Sequence, residues 1–445
     1  MLVAALLWSR TQIQLFEHAG SQWAHDLAFF HQILWSASHG GPWASPLLLE
    51  PQGFWSMVHF HPLFVPLVAL YWMLQPGPQL LLVVNVVMVV SAAWPLGRLG
   101  REASGHPAFG LFAGLAFLAW LPTQSAALAD FRPMALFVPG FAWLALGAWS
   151  GRWWQLLLGA ALVCCAREEA GYLLGAFGLL LCAVPWPAWR WRQGLAVAGF
   201  GLAFFLLLAL FKDNLFFHFD PRNLGQGQAA PPELLQVRRG FFLRAWLSGY
   251  LLAPVGLPLF VEALPSTAAM YTDGFREWER MTGPYVHLRS AWLALFAAAG
   301  TAGAGWLAGM HRALPWVLGL GMLLGNALSF AGERGRLRGW QETALSRAGS
   351  PEQVALEGLL AAVGPEERVA TNYDLIALLA GREVLWNTVH LYLEDGQPPH
   401  WEGDWPITLE QVDVLVVRED DPVLAQVDEA WSLEREGGGY QLWRR

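Results

Sequence analysis

Long apolar runs broken by short insertions of Arg, Pro or Gly fill the first three quarters of this 445-residue chain. Runs of this kind suit helices that cross a hydrocarbon core about 30 Å thick. The pattern predicts spans over 80–97, 107–121, 133–150, 194–211, 288–309 and 313–331, and an interrupted pair over 154–185 with Arg167-Glu168-Glu169 at the break. Residues 241–264 read as one span or as two short ones, because Pro254 and Pro258 interrupt them. The fold class is therefore mainly α: a polytopic helical membrane protein with roughly ten spans, followed by a small C-terminal α/β extramembrane domain.

The polar stretches complete the division. Met1 to Leu7 is too short to span before Ser9-Arg10 and reads as a shortened first span. Residues 16–61 hold Glu17, His18, His25, Asp26, His31, His39, Glu50, His59 and His61, too many ionisable groups for lipid, and form a first outer loop. Pro62 to Leu74 reads as an interfacial or re-entrant helix. Alternating the Arg-bearing ends of the spans places Arg98, Arg101, Arg152, Arg190 and Arg192 on the cytoplasmic side. Asp26, Asp130, Arg132, Arg167 and Glu168 then share the opposite face.

Beyond residue 331 the pattern shortens to the period of strands and small helices. Arg368 to Asn372 and Val412 to Val417 predict strands, Leu375 to Ala380 a helix ending at Gly381, and Trp431 to Trp443 a hairpin across Gly437-Gly438-Gly439. The domains are thus 1–331, transmembrane, and 332–445, soluble.

Charge sharpens this boundary. Residues 1–331 carry 17 Lys and Arg against 14 Asp and Glu, whereas 332–445 carry 10 against 21, so the net −8 averages a balance of +3 and one of −11. Only 14% of residues are charged and 55% are hydrophobic, which excludes one water-soluble domain. No basic surface is left for nucleic acid. Cys164, Cys165 and Cys182 lie in apolar runs and behave as small hydrophobes. Most of the 26 Trp residues suit the headgroup level of a membrane, although Trp23, Trp35, Trp43 and Trp55 could stack on a sugar or a prenyl chain.

Three groups of residues can carry chemistry. Asp26, among Trp23, Phe29, Phe30 and Trp35, is either a partly desolvated base or the N-cap of the helix that follows. Arg167-Glu168-Glu169 is either a phosphate-binding fork or a polar turn whose charges cancel. His59 and His61, two apart on an extended segment, could share a divalent metal with His25, His31, Asp26 or Asp130. No closed ligand set accompanies them, so no cofactor is assigned.

The ordered motifs His25-Asp26-Leu27-Ala28-Phe29-Phe30-His31, His59-Phe60-His61-Pro62, Ala129-Asp130-Phe131-Arg132-Pro133 and Arg167-Glu168-Glu169 resemble a bacterial family of predicted multi-spanning membrane proteins of unassigned function. That family resembles the GT-C superfamily of polyprenyl-phosphate-dependent glycosyltransferases. The resemblance reaches the tail through Val369-Ala370-Thr371-Asn372 and Val412 to Val417. It implies a sugar transferred from a polyprenyl-phosphate donor at the extracytoplasmic face of the bacterial inner membrane, with the C-terminal domain periplasmic or extracellular. On this resemblance Asp26 and Asp130 are the catalytic candidates, and Arg132, Arg167, Glu168, His59 and His61 the candidates for lipid phosphate and substrate.

The chain also departs from the family, where the position of His31 is often acidic, that of Arg132 usually His and that of Met134 usually Glu. Two carboxylates of the implied site are missing. This leaves a second expectation from another class: a non-catalytic membrane subunit that keeps the scaffold and docks a protein partner through residues 332–445.

Overall fold

The computed structural model describes residues 1–18, 24–45, 47, 54, 60–211, 249–256, 290–329, 342, 345–391 and 408–445. The stretch expected as a span or a pair at 241–264 lies mostly outside these, as does His59. Two compact units result, one of Met1–Ser9, Val58–Leu63 and Val84–Leu337, the other of Arg10–Met57, Phe64–Val83 and Arg338–Arg445.

The chain is mainly helical, with a small C-terminal sheet. Its helices are α1 (Leu2–Glu17), α2 (Ala24–Ser38), α3 (Phe64–Leu74), α4 (Gln79–Ser91), α5 (Ala93–Ser104), α6 (Pro107–Ala119), α7 (Leu121–Ala127), α8 (Phe137–Ser150), α9 (Trp153–Ala166), α10 (Ala170–Ala183), α11 (Trp191–Phe211), α12 (Ser290–Ala308), α13 (Leu314–Leu328) and α14 (Pro351–Leu360). Among the described residues, Gln79–Ser104, Pro133–Ser150 and Trp191–Phe211 are long and apolar enough to cross a membrane. A fourth crossing results if α6 and α7, bent by 61°, count as one.

Two expectations about the helices of the first 331 residues need correction. Met1 to Leu7 is not a fragment ending at Ser9-Arg10, since α1 continues unbroken to Glu17. The run 107–121 is not one straight span. Trp120 is extended, and Pro122 lacks the N–H that would have continued the ladder to the Leu118 carbonyl. The Gln124 side-chain amide takes over that role, donating to Leu118 O at 3.1 Å and Ala119 O at 3.4 Å.

In the first unit the helices meet through glycine. The antiparallel pair α10 and α11 approaches backbone to backbone where Gly171 faces Gly201 and Gly178 faces Gly194. A Cβ on Gly194 would stand 2.6 Å from Gly178 O, and one on Gly201 2.6 Å from Gly171 O. Small residues let helices approach closely where lipid supplies no hydrophobic drive. Elsewhere Trp120, fully buried, stacks on Phe296 at 6.0 Å and meets Tyr250 edge-on at 4.9 Å.

In the second unit, five strands line up in the order β2-β1-β3-β5-β4: β1 (Val369–Thr371), β2 (Leu385–Asn387), β3 (Val414–Arg418), β4 (Ser432–Gly437) and β5 (Tyr440–Arg444). β1 runs parallel to both β2 and β3, whereas β5 is antiparallel to β3 and β4. The β4–β5 hairpin turns on Gly438 and Gly439, both at positive φ, as a two-residue turn matched to strand twist requires. β4 is an exposed edge carrying Glu434, Arg435 and Glu436. The helix expected over Leu375 to Ala380 is instead a run of turns. All but one of its residues are buried, so it has no polar face of the kind that defines a surface helix. Ser350 caps α14 by accepting from the Gln353 N–H, and Gln353 Nε2 donates to Glu17 O at 3.0 Å, tying the tail to the end of α1.

The glycine seam makes a testable demand. Gly178→Val is expected to destabilise the chain by about 2 kcal/mol or more, seen as a lower apparent Tm in detergent. Gly175→Val, at a position with open space, is the control that keeps the wild-type Tm.

Candidate functional site

The candidate site in the first unit is built around the break between α9 and α10. Helix α9 ends at Ala166 and Arg167 is extended, so the final carbonyls of α9 need partners from outside the helix. The segment 60–63 supplies them. His61 Nδ1–H donates to Ala166 O at 2.7 Å, and the Leu63 N–H donates to Cys165 O at 2.9 Å. In return Glu168 accepts the Phe60 N–H at 2.7 Å. The bond to a carbonyl fixes His61 with its proton on Nδ1.

The charges of the turn are drawn together. Arg167 Nε stands 3.5 Å from Glu168 Oε1, Arg167 Nη1 3.7 Å from Glu169 Oε1, and the same Nη1 lies 3.1 Å from Met134 Sδ. Glu168 is 6% exposed and Glu169 29%, so the first is a structural anchor and the second faces outward. One guanidinium thus meets two carboxylates and the Met134 thioether.

Met134 leads to the second motif. Asp130 is buried and Arg132 half-buried on a segment between α7 and a short 3-10 turn, Pro133–Leu136. Asn85, fully buried in α4, holds that segment. Its amide donates to Ala126 O, Ala127 O and Ala129 O at 3.0, 3.3 and 3.1 Å, and its oxygen accepts the Arg132 N–H at 3.4 Å. Sequence reasoning passed over Asn85, although it is the lone polar residue between Leu80 and Val90. A polar side chain in such a run is a functional pointer by default.

The structure therefore joins Arg167 and Glu168 to residues 60–63 and, through Met134, to the segment that carries Asp130 and Arg132. Asp26 belongs to the other unit. Helix α2 starts at Ala24, so Asp26 is not the N-cap but sits inside the first turn, where helix dipoles favour a negative charge. Five residues on, buried His31 bonds Tyr71 through Nδ1 at 2.9 Å, and Phe30 meets Phe64 edge-on at 5.7 Å, fastening α2 to α3. Burial pulls the His31 imidazole down to about 4. Among the described residues no three His, Cys, Asp or Glu side chains are placed to hold one metal ion.

Two expectations follow. Glu168→Ala, which removes the buried acceptor of the Phe60 N–H and one of the carboxylates beside the partly buried Arg167, is expected to cost about 2 kcal/mol in a denaturant titration, against less than about 1 kcal/mol for Glu169→Ala. For His31, the unfolded chain takes up a proton near pH 6.5 and the folded chain only near 4, so stability falls as pH drops through that window and levels off below it. His31→Phe is expected to flatten this fall when Tm is followed from pH 7 to 4.

Comparisons with known proteins agree with the architecture. Residues 22–217 match the family described as Predicted membrane protein (DUF2079). No curated protein matches the chain. The crystal structure of ArnT from Cupriavidus metallidurans bound to undecaprenyl phosphate is similar over 99% of this chain and 97% of that one, at 12% identity and a TM-score of 0.58. The apo state of the same protein is similar over 98% and 97%, at 12% identity and a TM-score of 0.56. The fold is thus ArnT-like along nearly the whole chain, as the family resemblance in the sequence implies.

Proposed function

We propose that this chain is a membrane glycosyltransferase of GT-C type that takes a sugar from a polyprenyl-phosphate donor at the extracytoplasmic face of the bacterial inner membrane. The supporting observation is the chain-long likeness to a protein crystallised with undecaprenyl phosphate. Roughly ten spans fit this reading, with further crossings made by helices shorter than a full span.

In the proposed reaction Asp26 accepts the proton of the acceptor hydroxyl, whose oxygen then bonds to the anomeric carbon. The bond from that carbon to the phosphate oxygen breaks, and polyprenyl phosphate leaves with the electron pair. Arg167 stabilises the charge on the departing phosphate by exchanging the outward Glu169 for it, while Glu168 keeps the turn anchored. Asp130 is the second catalytic candidate, and Arg132, His59 and His61 complete the donor site. The bond from Gln353 to Glu17 supports a tail on the same side of the membrane as the first outer loop.

One observation favours the second reading, a non-catalytic subunit that docks a partner through residues 332–445. Arg167 already has two carboxylate neighbours, and a thioether stands where a further acid would complete the related site. Activity separates the two. Asp26→Asn is expected to lower transfer from a polyprenyl-phosphate sugar by about 100-fold or more in the purified protein, with the donor KM unchanged. Turnover equal to wild type would remove Asp26 from the mechanism. A wild-type chain without transfer but with a bound protein partner would replace the enzyme by the subunit.

A further inference from the structure

The tail carries a cleft at the rim of its sheet. Its three parallel strands β2, β1 and β3 end on one rim, at Asn387, Thr371 and Arg418. Because β1 lies between the other two, the chain leaves it toward one side and reaches β3 on the other. Open α/β sheets hold ligands at such a reversal, outside the carboxyl ends of the strands. A cleft of about 440 Å³ opens there, lined by Asn372, Tyr373 and Asp374 after β1, Thr388 after β2, and Asp420 and Asp421 after β3.

Hydrogen bonds fix the walls of this cleft. Asp421, 7% exposed, accepts the Val423 N–H at 2.9 Å and the amide of Asn372. Asn372 Oδ1 accepts the Arg418 N–H at 2.7 Å. Asp374 accepts from the Arg418 guanidinium at 2.7 Å and from the Tyr440 hydroxyl, which burial and that bond push up to about 12 and so keep protonated. Asp420 is exposed beside this framework, and Tyr373 is 42% exposed.

The lining chemistry selects a ligand class. Three carboxylates against one guanidinium repel phosphates and carboxylates, and the scarcity of aliphatic side chains rejects a lipid tail. Fixed planar acceptors and amides match vicinal hydroxyls, an exposed ring offers a face for C–H groups, and the volume falls in the range of small-ligand sites. We propose that this cleft binds a neutral or amino-substituted saccharide, with Asp420 and Asp374 taking its hydroxyls and Tyr373 its apolar face.

Saturation-transfer NMR on the full chain in detergent tests this with methyl α-glucoside, methyl α-mannoside, methyl β-galactoside and glucosamine as probes, and with glucuronate, inorganic phosphate and Ca²⁺ as challengers. At least one of the four sugars is expected to receive saturation. Asp420→Asn and Tyr373→Ala, both exposed and compatible with a wild-type Tm, are each expected to weaken it about tenfold. Silence from all four sugars, a signal that survives both substitutions, or binding of glucuronate, phosphate or Ca²⁺ in place of a sugar would overturn the assignment. Nothing in this measurement reads transfer, so its outcome is separate from that of the proposed reaction.

Discussion

Backbone groups inside a membrane have no water to turn to, and every interruption of a helix there must be repaired from within the protein. That constraint shapes the first unit. The break before α7 is closed by Gln124, the exit from α7 by Asn85, and the break after α9 by His61 and Glu168. Each repair uses a polar side chain, and that of Asn85 is drawn from an otherwise apolar run. The candidate site has formed at two of these repairs, because a broken helix is where polar groups can be concentrated without exposure to lipid.

This explains the double character of Arg167-Glu168-Glu169. As a turn it is a structural necessity, since Glu168 satisfies the amide of Phe60. In the proposed reaction the same turn supplies the guanidinium that meets the departing phosphate. The two proposed roles fall to different atoms: buried Glu168 anchors, whereas the partner exchange is assigned to Arg167 and the more exposed Glu169.

Much of this was legible in the amino-acid sequence, for physical reasons. Length and apolarity set the helices near 133–150 and 194–211, because hydrocarbon thickness imposes a length. The Arg167 break and the glycine hairpin announce themselves by charge and by positive-φ demand. The bend at Trp120 was hidden, because Pro122 within an apolar run is compatible with a helix start as well as with a kink. The turns at Leu375 to Ala380 were hidden too, since a short apolar run carries no periodicity to separate turns from a helix. Asn85 stands out in its apolar run, but its three carbonyl partners lie over 40 residues away, and the rim where three strands end exists only once strand order is known.

The edge strand β4 has a consequence of its own. Proteins confined to a membrane are crowded into two dimensions and share one orientation, so an open sheet edge would meet its twin repeatedly. Glu434, Arg435 and Glu436 place charge along that edge, a register shift between Leu433 and Arg435 distorts it, and the opposite edge, β2, is only three residues long. Among the described residues both ends of the sheet thus carry features that disfavour strand addition. The tail's sheet edges, among those residues, are poorly suited to pairing between copies crowded side by side, and its loops are the better surface for other molecules.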